Sequence, residues 1–173
     1  MIARVAVLAV ALVCLAGCGD DGAGTGVDAG LAAPDAGPDG PMVQIGAGES
    51  AFEPIAASGA ELEVVMGPQG GWHVWLSCLF SGLSPDGLLL SFDVREDGRA
   101  AMWNLPAEYA LTVDRVTPDG TGYLKVGTRA VFDIMSAAEV VGRMVTVRAC
   151  LTPPGGAAPA CDSRLVRLVD NVP

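Results

Sequence analysis

The chain has 173 residues, 51% of them hydrophobic, and a formal net charge of −10 at pH 7. That length suits one domain of ordinary size with a core of its own. With one lysine against nine arginines, the acidic balance argues against a nucleic-acid partner, which needs a basic stripe to displace counterions from phosphates, and against peripheral attachment to anionic lipid.

Residues 1–18 read MIARVAVLAVALVCLAGC. Arg4 precedes an apolar run from Val5 to Ala16. The run is too short for a transmembrane helix, which needs about 20 apolar residues, but suits the hydrophobic region of a secretory signal peptide. It ends in Leu15-Ala16-Gly17-Cys18, which resembles the lipobox of bacterial lipoproteins. The resemblance implies a signal peptide over 1–17, cleavage after Gly17, and Cys18 as the acylated N-terminus carrying diacylglyceryl and palmitate-type chains. An ordinary secretory signal cut elsewhere would instead leave Cys18 a free thiol. Each buried methylene contributes about 0.8 kcal/mol, and two or more acyl chains make anchoring stable. The lipid bilayer, reached through Cys18, is thus an expected partner. Gly19 stands where an aspartate favours inner-membrane retention, so the outer membrane is the expected location.

Residues 18–41 are expected to form the lipidated cysteine and a disordered tether. From Gly19 to Pro41 the chain holds seven glycines, five aspartates and three prolines, too little apolar surface to offset the entropy of ordering. Asp28, Asp35 and Asp39 lack the fixed short spacing and terminal bidentate carboxylate of a calcium loop. As a flexible coil the tether would span about 25 Å.

From Met42 to Pro173 the texture becomes that of a β domain. Apolar and β-branched runs predict strands at roughly 43–46, 50–55, 61–66, 72–80, 88–95, 100–104, 109–116, 122–126, 129–134, 143–151 and 163–169, some of them merging or failing. Turn signals separate them: Gly67-Pro68, Ser84-Pro85-Asp86-Gly87, Glu96-Asp97-Gly98 and Thr117-Pro118-Asp119-Gly120. Helical periodicity is confined to a single turn near Ser136–Val141. Many short strands at regular spacing predict an all-β fold, an antiparallel β-sandwich of seven to nine strands, loosely immunoglobulin-like.

Alternation assigns the faces. Trp72, Val74, Leu76, Cys78 and Phe80 share the core face of one strand. His73, Trp75, Ser77 and Leu79 share the other, a mixed face that needs a covering loop or forms an exposed apolar patch. In the strand near 143–151, Val145, Val147, Ala149 and Leu151 point inward, with Thr146, Arg148 and Cys150 outward. Once Cys14 and Cys18 are set aside, Cys78, Cys150 and Cys161 remain. Cys150 and Cys161 bracket the loop LTPPGGAAPA, where a bridge would contribute about 3 kcal/mol. A Cys78–Cys150 bridge between sheets is the competing pairing. Parity puts Cys78 inward and Cys150 outward, which favours Cys150–Cys161 and leaves Cys78 a buried thiol.

Chemistry is harder to find. A Ser–His–Asp triad would have to use His73, the single histidine, and no nucleophile elbow accompanies it. Glu61 and Glu63, alternate residues of one acidic strand edge, read as solvated rather than as a glycosidase pair. No metal site, cofactor or catalytic residue is expected, and no enzyme. His73 and Trp75 are the candidate contact residues for an unknown protein or glycan partner of a tethered binding module. A structural envelope lipoprotein without a ligand site is the alternative, and a weaker one is copper held by His73 with Met66. In GPQGGWHVW, Pro68 and Gly70-Gly71 read as a turn that launches a strand. Trp72 then enters the core, where its truncation would cost about 3–5 kcal/mol, and His73 stays on the outer face, where its replacement leaves stability nearly unchanged. The longer stretch FEPIAASGAELEVVMGPQGGWHVWLS, Phe52 to Ser77, is similar to a segment recurring in lipoproteins of GC-rich Gram-negative bacteria, a resemblance that implies placement in the cell envelope.

Overall fold

A computed structural model of the protein describes residues 40–57, 59–96 and 98–170. The signal peptide, Cys18 and the tether as far as residue 39 lie outside the described residues. The described part belongs to a compact unit spanning Pro38–Pro173.

Ten strands build an all-β fold: β1 (Met42–Ala47), β2 (Glu53–Pro54), β3 (Ala60–Met66), β4 (Trp72–Ser81), β5 (Leu89–Glu96), β6 (Glu108–Ala110), β7 (Thr117–Asp119), β8 (Gly122–Phe132), β9 (Met144–Thr152) and β10 (Ala160–Asp170). Three of these, β2, β6 and β7, are only two or three residues long. Among the described residues there is no α-helix, only three single 3-10 turns. One of them, Ala137–Glu139, occupies the short helical stretch expected near Ser136, and Ser136 with Glu139 forms a reciprocal capping box at its start.

The strands form one curled sheet in the order β2-β1-β4-β3-β10-β9-β5-β6, with β8 on the other edge of β4 and β7 beside β8. The curl is made by β3, which changes partner along its length. Residues 60–64 run parallel to β10, whereas Val65 and Met66 pair antiparallel with β4. That parallel ladder makes the sheet mixed, the other pairings being antiparallel. Two facing layers result, β1-β4-β8 and β10-β9-β5, sharing one core. Val74, Leu76, Cys78 and Phe80 enter it from β4, and Val145, Val147, Ala149 and Leu151 from β9, all fully buried. Trp72 packs against this core half-buried rather than inside it.

Where the structure departs from the expected strands, local chemistry explains it. The stretch expected at 50–55 shrinks to Glu53–Pro54, since Pro54 has no N–H to continue a ladder. The stretches 122–126 and 129–134 are one strand. Leu76 pairs with Thr128 and Cys78 with Lys125, so Val126 and Gly127 together face Ser77. This is a bulge, with Gly127 at φ +68° as such a bulge requires. The stretch 109–116 ends as a strand at Ala110, and a 3-10 turn follows where Asp86 Oδ1 accepts the Val113 N–H (2.9 Å).

Residues 100–104 form no strand, yet they close the fold. The Trp103 N–H donates to the Val94 carbonyl of β5 (2.8 Å), while the Leu105 N–H donates to the Val131 carbonyl of β8 (2.7 Å). Between them Asn104, only 4% exposed, accepts the Val94 N–H at Oδ1 (2.7 Å) and donates from Nδ2 to the Phe92 carbonyl (2.8 Å). Its carboxamide stands in for a neighbouring peptide group on β5, while the backbone of residues 103–105 pairs with β8, so this segment covers two sheet edges that would otherwise lie open.

Candidate functional site

At the corner where β3 changes partner, the sheet opens a cleft of about 640 Å³. Glu61, Glu63 and Met66 line it from β3, His73 and Trp75 from β4, Glu49 from the β1–β2 connection and Glu53 from β2. The two residues singled out for partner contact, His73 and Trp75, thus sit in one concave surface. Their rings meet edge to face at 4.9 Å between centroids, and the Arg129 guanidinium lies 5.7 Å from the Trp75 ring.

His73 is on the outer face of β4, as alternation requires, but it is not a solvent-facing residue: it is only 4% exposed. Two turns bury it. The β3–β4 turn is closed by hydrogen bonds from the Gly70 N–H to the Gly67 carbonyl (3.0 Å) and from the Gly67 N–H to the Gly71 carbonyl (2.9 Å). This brings Gly67 against the imidazole. The β1–β2 connection folds down over β4 and β8. Ser77 Oγ donates to the Gly48 carbonyl (3.1 Å), and the Glu49 carbonyl seats on Gly127, where a Cβ would collide with it. The covering loop that the mixed outer face of β4 demands is therefore residues 48–52. This burial bears on the expectation that His73 could be removed without effect on stability, because a 4% exposed side chain is packed rather than solvated.

Burial holds the His73 pKa below its ordinary 6.5, Arg129 lowers it further, and Glu49 opposes the shift. The imidazole is consequently neutral near pH 7, and its buried Nε2 has no hydrogen-bond partner. The four glutamate side chains around it are exposed. None of the ion pairs among the described residues involves Glu49, Glu53 or Glu61. No three His, Cys, Asp or Glu side chains among the described residues lie close enough together to hold one metal ion. Met66, 64% exposed, shares the cleft with His73, but a copper ion needs more convergent ligands than these two. No hydroxyl or thiol is hydrogen-bonded to His73 among the described residues, and the cleft lining offers charge and an aromatic surface.

The remaining cysteines lie elsewhere. Cys150 and Cys161 face each other across the β9–β10 ladder, 4.2 Å apart at Cα, and form a disulfide on the outer face. That spacing is close to the one at which two antiparallel strands come nearest. Cys78 is a free, fully buried thiol, its pKa pushed up to about 12 by burial, with Asp162 adding to the rise. Cys18 is outside the described residues.

Glu49 and Glu53 belong to the site without any motif that announces them. The one available signal was Gly127, since a glycine inside a strand marks a bulge or a close backbone approach.

No protein-family model matches the chain, and no curated protein matches it. Among solved structures the chain is similar to the CooA pilin subunit from enterotoxigenic Escherichia coli, at 10% sequence identity and a TM-score of 0.34, over 75% of this chain and 99% of that one.

Proposed function

We propose that the protein is a lipid-anchored lipoprotein of the bacterial cell envelope, held in the outer membrane through Cys18. On this reading its β-sandwich is a binding module on a flexible tether, and the cleft at the β3 corner is the ligand surface. The observation that carries the binding reading is the gathering of His73, Trp75 and four glutamates around one cleft. A purely structural lipoprotein has no need of a concave, charged surface containing a buried imidazole without a partner, an arrangement that costs about 1–3 kcal/mol when nothing satisfies it. The anchoring reading rests on the Leu15-Ala16-Gly17-Cys18 run behind an apolar segment.

Two measurements test the two halves. Metabolic labelling with a fatty acid should mark the wild type and not Cys18→Ser, which should accumulate as precursor or soluble protein. Equal incorporation into both would end the lipoprotein reading. For the cleft, a photo-crosslinking amino acid placed at Trp75 should give a discrete adduct in the native envelope, and one placed at Glu108, on β6, should not. The same adducts from both positions would end the binding-module reading.

A further inference from the structure

On the outer face of the β10-β9-β5 layer, none of them lining the cleft, residues of neighbouring strands stand in one row. The pairing registers set Glu108 of β6, Ser91 of β5, Cys150 of β9 and Cys161 of β10 side by side, and the disulfide joins the last two. We infer that this disulfide is a thiol-exchange site for a small thiol, with Cys150 the sulfur attacked and Cys161 the sulfur released. Three observations lead there.

The first is a positive charge beside one sulfur. Arg148 Nη2 donates to Cys161 Sγ at 3.3 Å. In thiol–disulfide exchange the released sulfur departs as a thiolate, and a better-stabilised thiolate departs faster. A neighbouring guanidinium supplies that stabilisation. The other charged groups near the row are engaged or distant. Asp93, opposite Arg148 on β5, pairs with Arg95 (3.3 Å). Asp162 and Arg164 pair with each other (2.7 Å) on the other face of β10. Glu108 stands two strand spacings from Cys150, about 9–10 Å.

Access is the second. A thiolate approaches in line with the bond it breaks, and the line from Cys161 through Cys150 runs on towards β5. There the register places Ser91, a small side chain that is only half-buried. The path over it to Cys150, itself half-buried, suits a small thiol better than a cysteine embedded in a folded surface.

The third is what survives opening. Strand β9 keeps its ladders to β10 on one side and β5 on the other, with Val147, Ala149 and Leu151 fully buried beneath. The two sulfurs therefore stay opposite each other, on Cα atoms 4.2 Å apart, and the bond can re-form.

The small thiol is the only co-reactant. It gives its proton to solvent, and its thiolate bonds to Cys150 Sγ. The Cys150–Cys161 bond breaks, and its electron pair leaves on Cys161 Sγ beside Arg148. A second thiolate then removes the first from Cys150 as a small disulfide. Two small thiols are oxidised, and the protein disulfide is reduced to two thiols.

The experiment incubates the full chain with 2-mercaptoethanol, quenches with acid, blocks free thiols with N-ethylmaleimide and maps the peptides, so that Cys18, Cys78, Cys150 and Cys161 are scored separately. The first adduct should be on Cys150, and the opened protein should keep a cooperative thermal transition. Arg148→Gln should open about threefold or more slowly than wild type, and Arg148→Lys should recover much of the rate. Arg167→Gln, the same charge change at an exposed position further along β10, should open at the wild-type rate. In Cys150→Ser, Cys161 should react with iodoacetamide at a lower pH than it does once Arg148→Gln is added. Equal opening of wild type and Arg148→Gln, a first adduct on Cys161, loss of the thermal transition on opening, or no change in that reactive pH would each overturn the inference.

Discussion

The β9–β10 hairpin and the β3–β4 corner are built from the same kinds of residues, yet they do opposite things. In the hairpin every second residue of β9 is fully buried, the register runs unbroken from Met144 to Leu151 against β10, and a disulfide joins residues directly opposite. At the corner, β3 abandons β10 for β4, β8 carries a bulge, and a loop closes over the outer face of β4. Regular pairing gives a ladder in which each face is either core or solvent. Interrupted pairing splays neighbouring strands, and the splay is what opens a cleft. Stability and concavity are thus allotted to different parts of one sheet.

Substitutions can break that contrast. The largest effect is expected in the regular part: Leu151→Ala removes a fully buried side chain from β9 and should lower unfolding free energy by about 2–5 kcal/mol, measured by denaturant titration. A loss comparable to that of a surface substitution would mean that the hairpin is not the stable half. Next, Cys150→Ser with Cys161→Ser should cost about 3 kcal/mol, the loop-closure value for a linkage of this length. Cys78 should stay inert to alkylating reagents at pH 8 in this variant as in the wild type, because its thiol is buried and its pKa is near 12. Alkylation of Cys78 without unfolding would contradict the packing of β4.

The corner gives smaller but more telling effects. Gly127→Ala meets both a positive φ and the Glu49 carbonyl, and should cost about 1–3 kcal/mol. It should also displace the 48–52 loop, seen as a change in tryptophan fluorescence as Trp75 becomes exposed. An unchanged spectrum would show that the bulge does not seat the loop. The smallest effect concerns pH. His73 has its pKa lowered in the folded state, so the unfolded chain takes up a proton near pH 6.5 that the folded protein refuses. Stability from this group is complete above about pH 6.5 and is lost as pH falls through the lower, folded value. The stability advantage of the wild type over His73→Gln should therefore shrink between pH 8 and pH 5. An advantage that stays constant would mean that the imidazole is not shielded from protonation by burial.

Much of the regular half was legible beforehand. Val145, Val147, Ala149 and Leu151 are inward because alternation is the geometry of a strand, and Cys150 pairs with Cys161 because parity excludes Cys78 from the same face. The turn at Gly67–Gly71 was legible too, since Pro68 and the glycines encode it locally. At the corner the same reasoning placed His73 on the correct face of β4 and then misjudged its surroundings. Face parity is a property of one strand, whereas burial depends on what another segment lays over it. Glu49 and Glu53 escaped notice for the same reason.

What the sequence determined by itself is the all-β class, the inward faces of β4 and β9, the disulfide and the turns, because each depends on interactions between residues near one another along the chain or on a strict period of two. Only the tertiary structure decided that β3 serves two partners, that Asn104 ties β5 to β8, and that Gly127 receives a distant carbonyl. Those features arise from contacts between segments far apart in the chain, which leave no periodic trace in it. The cleft that joins His73 and Trp75 to four glutamates is the product of all such contacts at one corner.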